Sequence, residues 1–427
     1  MKRIEPVKEP IRGAIAVPGD KSIAHRAVIF ASVAHGTSRI FNLSGGDDNS
    51  RTVRAFRQMG VTICREGAAL RVDGAGWQGL RAPGAIDCGN AGTTMRLLCG
   101  VLAGLPFHST LDGDASLRRR PMQRVIDPLL AMGARIRSLH ENGLAPLEID
   151  GGGLRGIEYR MPVASAQVKS ALVLAALQAE GKTIITEPQR SRDHTEVMLD
   201  GFGGRISADD LSIVVDGPQD LRACDVRIPG DLSSAAFFLA AAAMIPGSEL
   251  TVRDVGCNST RDGVIEVLRR MGARIELRNQ RFEAGERVAD VHVVGAGLQG
   301  VDVDAALVAR TIDEYPILAV AGAVADGRTT FSNVKELRYK ESDRIAAMTE
   351  GLRALGVHVE ERDDGMTIEG CARLPGGTVR TYADHRVAMA FAIAGLASAS
   401  GVLIDDAACV DISFPSFFAL LSEICLH

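Results

Sequence analysis

The sequence predicts an α/β protein of six βαβαββ repeats shared between two domains, and three recurrences predict it. A glycine ends a strand-like segment in "VDGAG" from Val72, "IDGGG" from Ile149, "VDGPQ" from Val215, "VVGAG" from Val293 and "IEGCA" from Ile368. A second glycine separates helix-like from strand-like residues at Gly60, Gly133, Gly203, Gly272 and Gly356, as in "RMGARI". Such a glycine marks a helix C-terminus running into a strand. An alanine-rich run followed by a turn and a strand occurs six times, from "RAVIFASVAHGTSRIF" to "VAMAFAIAGLASASGVLI". The shared period of about 70 residues is that of a repeat architecture.

Each unit therefore reads strand, alanine-rich helix, strand, second helix, then a strand–turn–strand pair. The sixth unit lacks its last strands, because "SFPSFFALLSEICLH" has the spacing of an amphipathic helix. The strand-like start "IRGAIAVPG" is expected to complete it, which assigns the N-terminus to the C-terminal half. Pro-Gly turns before capped helices, at "VPGDK" and "IPGDL", then divide the chain. Residues 1–19 plus 229–427 form one domain of three repeats, and 20–228 form an inserted domain of three.

The glycines also imitate a nucleotide motif. "GAGWQG", "GGGLRG" and "GAGLQG" all fit GxGxxG, but a dinucleotide loop must follow a strand and open a helix. Pro83 and Gly84 come too soon after the first for a helix to develop, and "IEYRMPV" after the second alternates like a strand. These glycines are expected to turn one strand into the next, which disfavours a dehydrogenase.

Composition narrows the function. A 46% apolar share and a mean hydropathy of +0.09 fit a filled core, and 4% aromatic content makes that core aliphatic. The formal charge of −5 argues against a nucleic-acid or membrane-surface protein. "MKRIEPVKEP" has no apolar signal region, and "AAFFLAAAAMIP" is about half the length of a membrane span. Eight scattered cysteines, with no CxxC and no zinc spacing, read as reduced core residues of a cytoplasmic protein.

The alanine-rich helices begin with "PGDKSIAHR", "GNAGTTMR", "ASAQVKS", "PGDLSS", "IDEYP" and "YADHR". Asp, Ser, Thr and Asn there serve as N-caps. Lys21, Arg26, Arg96, Lys169, His385 and Arg386 do not fit so simply, because the helix macrodipole disfavours cations at that end. "GDASLRRRPMQR", "SRDHTE" and "LRYKESDR" bring similar residues to the second helices. Repeats related by rotation would point these ends at a common place, where they suit a phosphorylated or carboxylated ligand. Singly each is weak: "RRR" alone is a solvated run, "GDKS" lacks the first glycine of a Walker loop, and His385 could be structural.

Together, "PGDKSIAHR", "GNAGTTMRLL", "GDASLRRRPM", "SAQVKS", "KESDR" and "ADHR" resemble the 5-enolpyruvylshikimate-3-phosphate synthase family, in that family's order, from about Pro18 to Pro415. The resemblance implies an enolpyruvyl-transferase-like fold of two domains, three repeats each, around an interdomain cleft. It implies enolpyruvyl transfer from phosphoenolpyruvate to shikimate 3-phosphate with no metal or organic cofactor. The implied partners are these two small molecules alone, with a monomer as the expected state and inhibition by the analogue glyphosate.

Site residues follow by the same resemblance. Lys21 would lie between both substrates, with Ser22, Arg26, Ser165, Ala166, Gln167, Arg192, Asp313 and Lys340 on shikimate 3-phosphate. Gly92, Arg120, Arg344 and Arg386 would form the phosphoenolpyruvate pocket, which Gln167 also touches. Asp313 is implied as base at the 5-hydroxyl and Glu341 as the proton-transfer group at C3, with Lys21 as a further donor and His385 supporting Glu341. Two positions depart from the pattern. Asp20 stands where many members have Ser, and Ile412 stands where some place a phosphoenolpyruvate-binding lysine. The nearest rival, UDP-N-acetylglucosamine enolpyruvyl transferase, usually has a loop cysteine that "DGDASLRRRPM" lacks. A non-catalytic anion-binding ring would leave Asp313 and Glu341 without a task.

Overall fold

The computed structural model describes residues 1–425. Contacts divide the chain into an outer unit, Met1–Pro18, Pro229–Phe282 and Arg287 onward, and an inserted unit, Gly19–Ile228 with Glu283–Glu286. The first crossing falls one residue earlier than the Pro-Gly turn suggested. The four-residue segment 283–286 joins the inserted unit although its flanking strands belong to the outer one, a placement without any local sequence signal.

Each unit contains three small sheets built to one plan. In the second repeat, Gly84–Asp87 runs parallel to His108–Asp112, which is antiparallel to Leu147–Asp150, which is antiparallel to Arg135–Ser138. The third repeat orders Glu158–Arg160, Gly181–Thr186, Ser212–Gly217 and Ser207–Asp209 the same way. The fifth does so with Asp302–Val303, Arg328–Phe331, Gly365–Glu369 and His358–Arg362.

The first repeat of each unit has no strand before its helix, so its parallel edge comes from elsewhere. In the inserted unit Leu221–Arg222 and Val226–Arg227 add to Ala34–Phe41. In the outer unit Arg12–Ala16 adds to Glu249–Gly256, with Arg12 opposite Glu249. The expectation that "IRGAIAVPG" completes the sixth repeat is thus corrected: this strand completes the fourth. The sixth is closed by Lys2–Ile4, antiparallel to Val402–Ile404. That strand is three residues long, too short to show alternation.

The alanine-rich helices are the centre of each unit. Helices Leu232–Met244 and His385–Leu396 are buried at every residue, and Lys21–Val33, Gly92–Ala103, Ala166–Ala176 and Tyr315–Val324 nearly so. Small side chains allow backbones to approach. A Cβ on Gly100 would lie 2.1 Å from the carbonyl oxygen of Ala171 on the neighbouring helix.

The repeating glycines are explained by that packing. A Cβ on Gly74 would lie 2.3 Å from the carbonyl oxygens of Ala31 and Ala34, and one on Gly151 2.1 Å from those of Leu102 and Leu105. Gly217, Gly295 and Gly370 repeat the contact at the ends of Ala166–Ala176, Leu232–Met244 and Tyr315–Val324. They are therefore seats for a strand end on the last carbonyls of an alanine-rich helix, rather than simple strand-to-strand turns. Gly60, Gly133, Gly203, Gly272 and Gly356 have φ from 74° to 97°, the left-handed helix ending their context predicts. Among the described residues, no helix is long and apolar enough to cross a membrane.

Candidate functional site

In the inserted unit the N-terminal turns of three alanine-rich helices are linked by side chains. Asp20 caps Lys21–Val33, its Oδ1 accepting from the Ile23 amide at 2.9 Å. Aspartate and serine oxygens are both favoured at this capping position. Lys21 donates to Asp48 Oδ2 at 2.8 Å. Arg26, 3% exposed, donates to Thr195 Oγ1 at 2.7 Å, Ser170 Oγ at 2.6 Å and the Ser22 carbonyl at 2.9 Å. Burial lowers its pKa to about 10, against the pull of Glu196 and Asp20, while the nearby Arg192 charge lowers it further. Ser165 caps Ala166–Ala176.

Gln167 joins the second and third repeats. Its Oε1 accepts from Arg96 Nη1 at 2.6 Å and its Nε2 donates to Thr93 Oγ1 at 2.9 Å. Arg120 donates to Asn90 Oδ1 at 2.6 Å. Gly92 lies beneath these guanidiniums: a Cβ there would be 3.1 Å from Arg120 Nη1 and 3.2 Å from Arg96 Nη1. His25, fully buried, shares a hydrogen bond of 2.7 Å with Thr52, which pairs with Thr94 at 2.8 Å. Desolvation drives the His25 pKa down to about 3, so the ring is neutral at pH 7.

The outer unit centres on Arg344, 1% exposed. It donates to Asp384 Oδ2 at 2.8 Å and Glu341 Oε2 at 2.7 Å, and its Nη1 lies 3.8 Å from Asp313 Oδ1. Burial works against this charge, but Asp384 and Glu341 outweigh it and hold the guanidinium pKa above its usual range. Burial likewise opposes ionisation of Asp384, and Arg344 reverses the balance so that its pKa is lowered. Asp384 also accepts from Ser342 Oγ at 3.0 Å and caps His385–Leu396 through the Arg386 amide at 2.9 Å.

Arg386 donates to the Asp313 carbonyl at 2.9 Å, and its Nη2 lies 3.8 Å from Asp313 Oδ2. Glu314 bonds Ser233, whose Oγ accepts from Arg261 at 2.7 Å. Lys340, half-buried, has its pKa lowered by burial, with Asp313 opposing. Buried His385 begins its helix, while the hydrogen bond on Glu341 Oε2 comes from Arg344. Ile412, at the end of the turn Ala408–Ile412, packs half-buried against the outer-unit core, so the lysine's place is apolar here.

The family model of EPSP synthase (3-phosphoshikimate 1-carboxyvinyltransferase) matches residues 6–421. The chain belongs to the EPSP synthase family. It is 50% identical to the 3-phosphoshikimate 1-carboxyvinyltransferase of Geobacter metallireducens over 97% of each chain. It is 52% identical to that of Halorhodospira halophila over 97% of this chain and 94% of the relative. A solved EPSP synthase from Acinetobacter baumannii superposes with a TM-score of 0.88 at 42% identity, covering 99% of this chain and 97% of that one. The enolpyruvyl transferase NikO from Streptomyces tendae, at 19% identity and a TM-score of 0.77, shares the fold.

Within the inserted unit the structure joins Arg26 to Ser22, and Gln167 to the helix that begins at Gly92. Within the outer unit it brings Asp313, Glu341, Arg344 and Arg386 together. Sequence reasoning left out Asp48, Ser170, Thr195, Asp384 and Glu314 as site residues. The "ADHR" motif contains Asp384, and its place just before an alanine-rich helix was the available signal. Ser170 and Thr195 carry no charge and had none.

Proposed function

We propose that the chain transfers the enolpyruvyl group of phosphoenolpyruvate to the 5-hydroxyl of shikimate 3-phosphate and releases phosphate, a step toward chorismate and the aromatic amino acids. Family membership and relatives of this name at about half identity support that acceptor over a UDP-sugar.

The hydroxyl oxygen adds to C2 of the enol, losing its proton to Asp313, while C3 gains a proton from Glu341. The resulting tetrahedral intermediate then loses a methyl proton and its phosphate, which restores the double bond. The observation supporting these roles is the buried Arg344 with Glu341 at 2.7 Å and Asp313 at 3.8 Å. One fixed cation thereby holds two carboxylates near each other, as two proton transfers on adjacent atoms require.

Arg120, Arg344 and Arg386, with Gln167 and Gly92, are assigned to phosphoenolpyruvate, whose carboxylate and phosphate suit guanidinium forks. Ser22, Arg26, Ser165, Ala166, Gln167, Arg192 and Lys340 are assigned to shikimate 3-phosphate. Lys21 serves both and stabilises developing charge, exchanging its Asp48 partner for substrate oxygens. His385 supports the Glu341 region. The absence of a side chain at Gly92, where a Cβ would already crowd Arg120 and Arg96 at 3.1 and 3.2 Å, supports inhibition by glyphosate. Free cysteines support a reducing cytoplasm, and a monomer is the state proposed.

The test is phosphate release by the purified, chelator-treated protein. Release that needs both substrates, with kcat falling about a hundredfold or more in Glu341→Gln, is the expected result. Release with UDP-N-acetylglucosamine in place of shikimate 3-phosphate would change the acceptor, and an undiminished variant would remove Glu341 from the chemistry.

A further inference from the structure

Lys169 is among the largest fully buried side chains of the described residues, and it is the one charged residue of its alanine-rich helix. Its Nζ donates to Glu187 Oε2 at 2.9 Å and the Ser191 carbonyl at 3.4 Å, and it pairs with Glu196 Oε1 at 2.7 Å. Three donors thus meet three acceptors. Glu187 also accepts from the Ser191 hydroxyl and, at 3.4 Å, from the Ser191 amide, which closes the loop after strand Gly181–Thr186. Arg192 is the next residue.

The neighbouring positions on the same two helices carry the Arg26 contacts. Ser170 follows Lys169 and Thr195 precedes Glu196, and both hydroxyls accept from Arg26. Arg26 and Arg192 are close enough for the charge of one to disfavour the other, and Glu196 is the leading charge favouring Arg26. The second oxygen of Glu196 has no hydrogen-bond partner among the described residues. Next to the contacts of Arg26, and one residue from Arg192, lies a buried group of two carboxylates and one ammonium. Stability alone does not call for it, since apolar residues commonly replace buried ion pairs without loss.

We propose that the Lys169–Glu187–Glu196 cluster is a positioning device for the shikimate 3-phosphate end of the reaction, holding Arg192, and through Thr195 Arg26, ready for the phosphate. It rests on the assignment of those two arginines to that substrate. Lys169 itself does not touch substrate. Without the ammonium, two buried carboxylates compete with the phosphate for the arginines and the 187–191 loop loses its anchor.

The experiment compares Lys169→Met, Glu187→Gln, Arg192→Gln and the Lys169→Met/Arg192→Gln pair, varying each substrate in turn and recording melting temperatures. Lys169→Met and Glu187→Gln are expected to raise KM for shikimate 3-phosphate about tenfold, with kcat and KM for phosphoenolpyruvate within about twofold. The double variant is expected to fall short of the product of the two single effects, the remainder being the Arg26 share. Unchanged KM with a lowered melting temperature, a parallel rise of both KM values, or multiplicative effects in the pair would overturn the proposal. Glu187→Gln leaves Lys169 its Glu196 partner and decides the matter if Lys169→Met does not fold. An Arg192→Gln protein with unaltered KM would instead refute the ligand assignment beneath it.

Discussion

Gly92 and Asp384 show how much depends on single atoms. A methyl group on Gly92 would press on Arg120 and Arg96 at 3.1 and 3.2 Å, tighter than ordinary contact but against flexible guanidinium ends. Gly92→Ala should therefore fold normally and raise KM for phosphoenolpyruvate several-fold, with a larger rise in the glyphosate inhibition constant. Equal rises would mean that the space does not discriminate. Asp384→Asn keeps the shape of the helix cap but removes the charge under Arg344. It should cost about 2–4 kcal/mol of stability, read from denaturant unfolding, because a buried guanidinium loses its main counter-charge. Arg26 and Arg344 were both legible as candidates because their charge at a helix start needed a reason. The hydroxyls that hold Arg26 were not, since Ser and Thr at helix starts ordinarily cap.

At the scale of an element, the repeat is defined by a glycine seated on a helix end. Gly151→Ala would place a methyl 2.1 Å from two backbone oxygens that cannot yield, whereas Gly45 has nothing within 4 Å of its Cβ position. Gly151→Ala should lose about 3 kcal/mol or more in denaturant unfolding, and Gly45→Ala about 0.5 kcal/mol or less. Similar losses in both would show that the carbonyl contact is not the constraint. The period of these glycines was plain in the sequence and their purpose was not. GxGxxG spacing is shared by any backbone that must be approached closely, and only the packing partner separates a phosphate from a helix carbonyl.

Across the whole molecule, buried titrating groups set the acid limit of stability. A histidine in water titrates near 6.5, and burial brings His25 down to about 3 in the folded protein. Between those values the unfolded chain binds the extra proton, so the contribution is present above about pH 6.5 and is lost as pH falls toward 3. The lowered Asp384 pKa adds a second loss starting near the carboxylate range and continuing through its folded value. Unfolding free energy should thus fall from about pH 6.5 to about pH 4. His25→Gln should flatten that slope, whereas an unaltered slope would assign it to other groups. The period of the chain was legible from the sequence, and so was a strand near the N-terminus that serves a later repeat. Its partner was misassigned, because a five-residue strand has no local mark naming the edge it joins.

The sequence alone determined the six-fold period, the helix ends, the family and the gathering of cations at helix starts. Those follow from local rules, in which each residue type answers to its own backbone and its near neighbours. Only the tertiary structure decided which strand closes which sheet, that the glycines seat on helix carbonyls, and that Lys169 and Asp384 lie beneath the arginines. Those depend on contacts between segments far apart in the chain, where packing distance and burial choose among partners of equal local fitness.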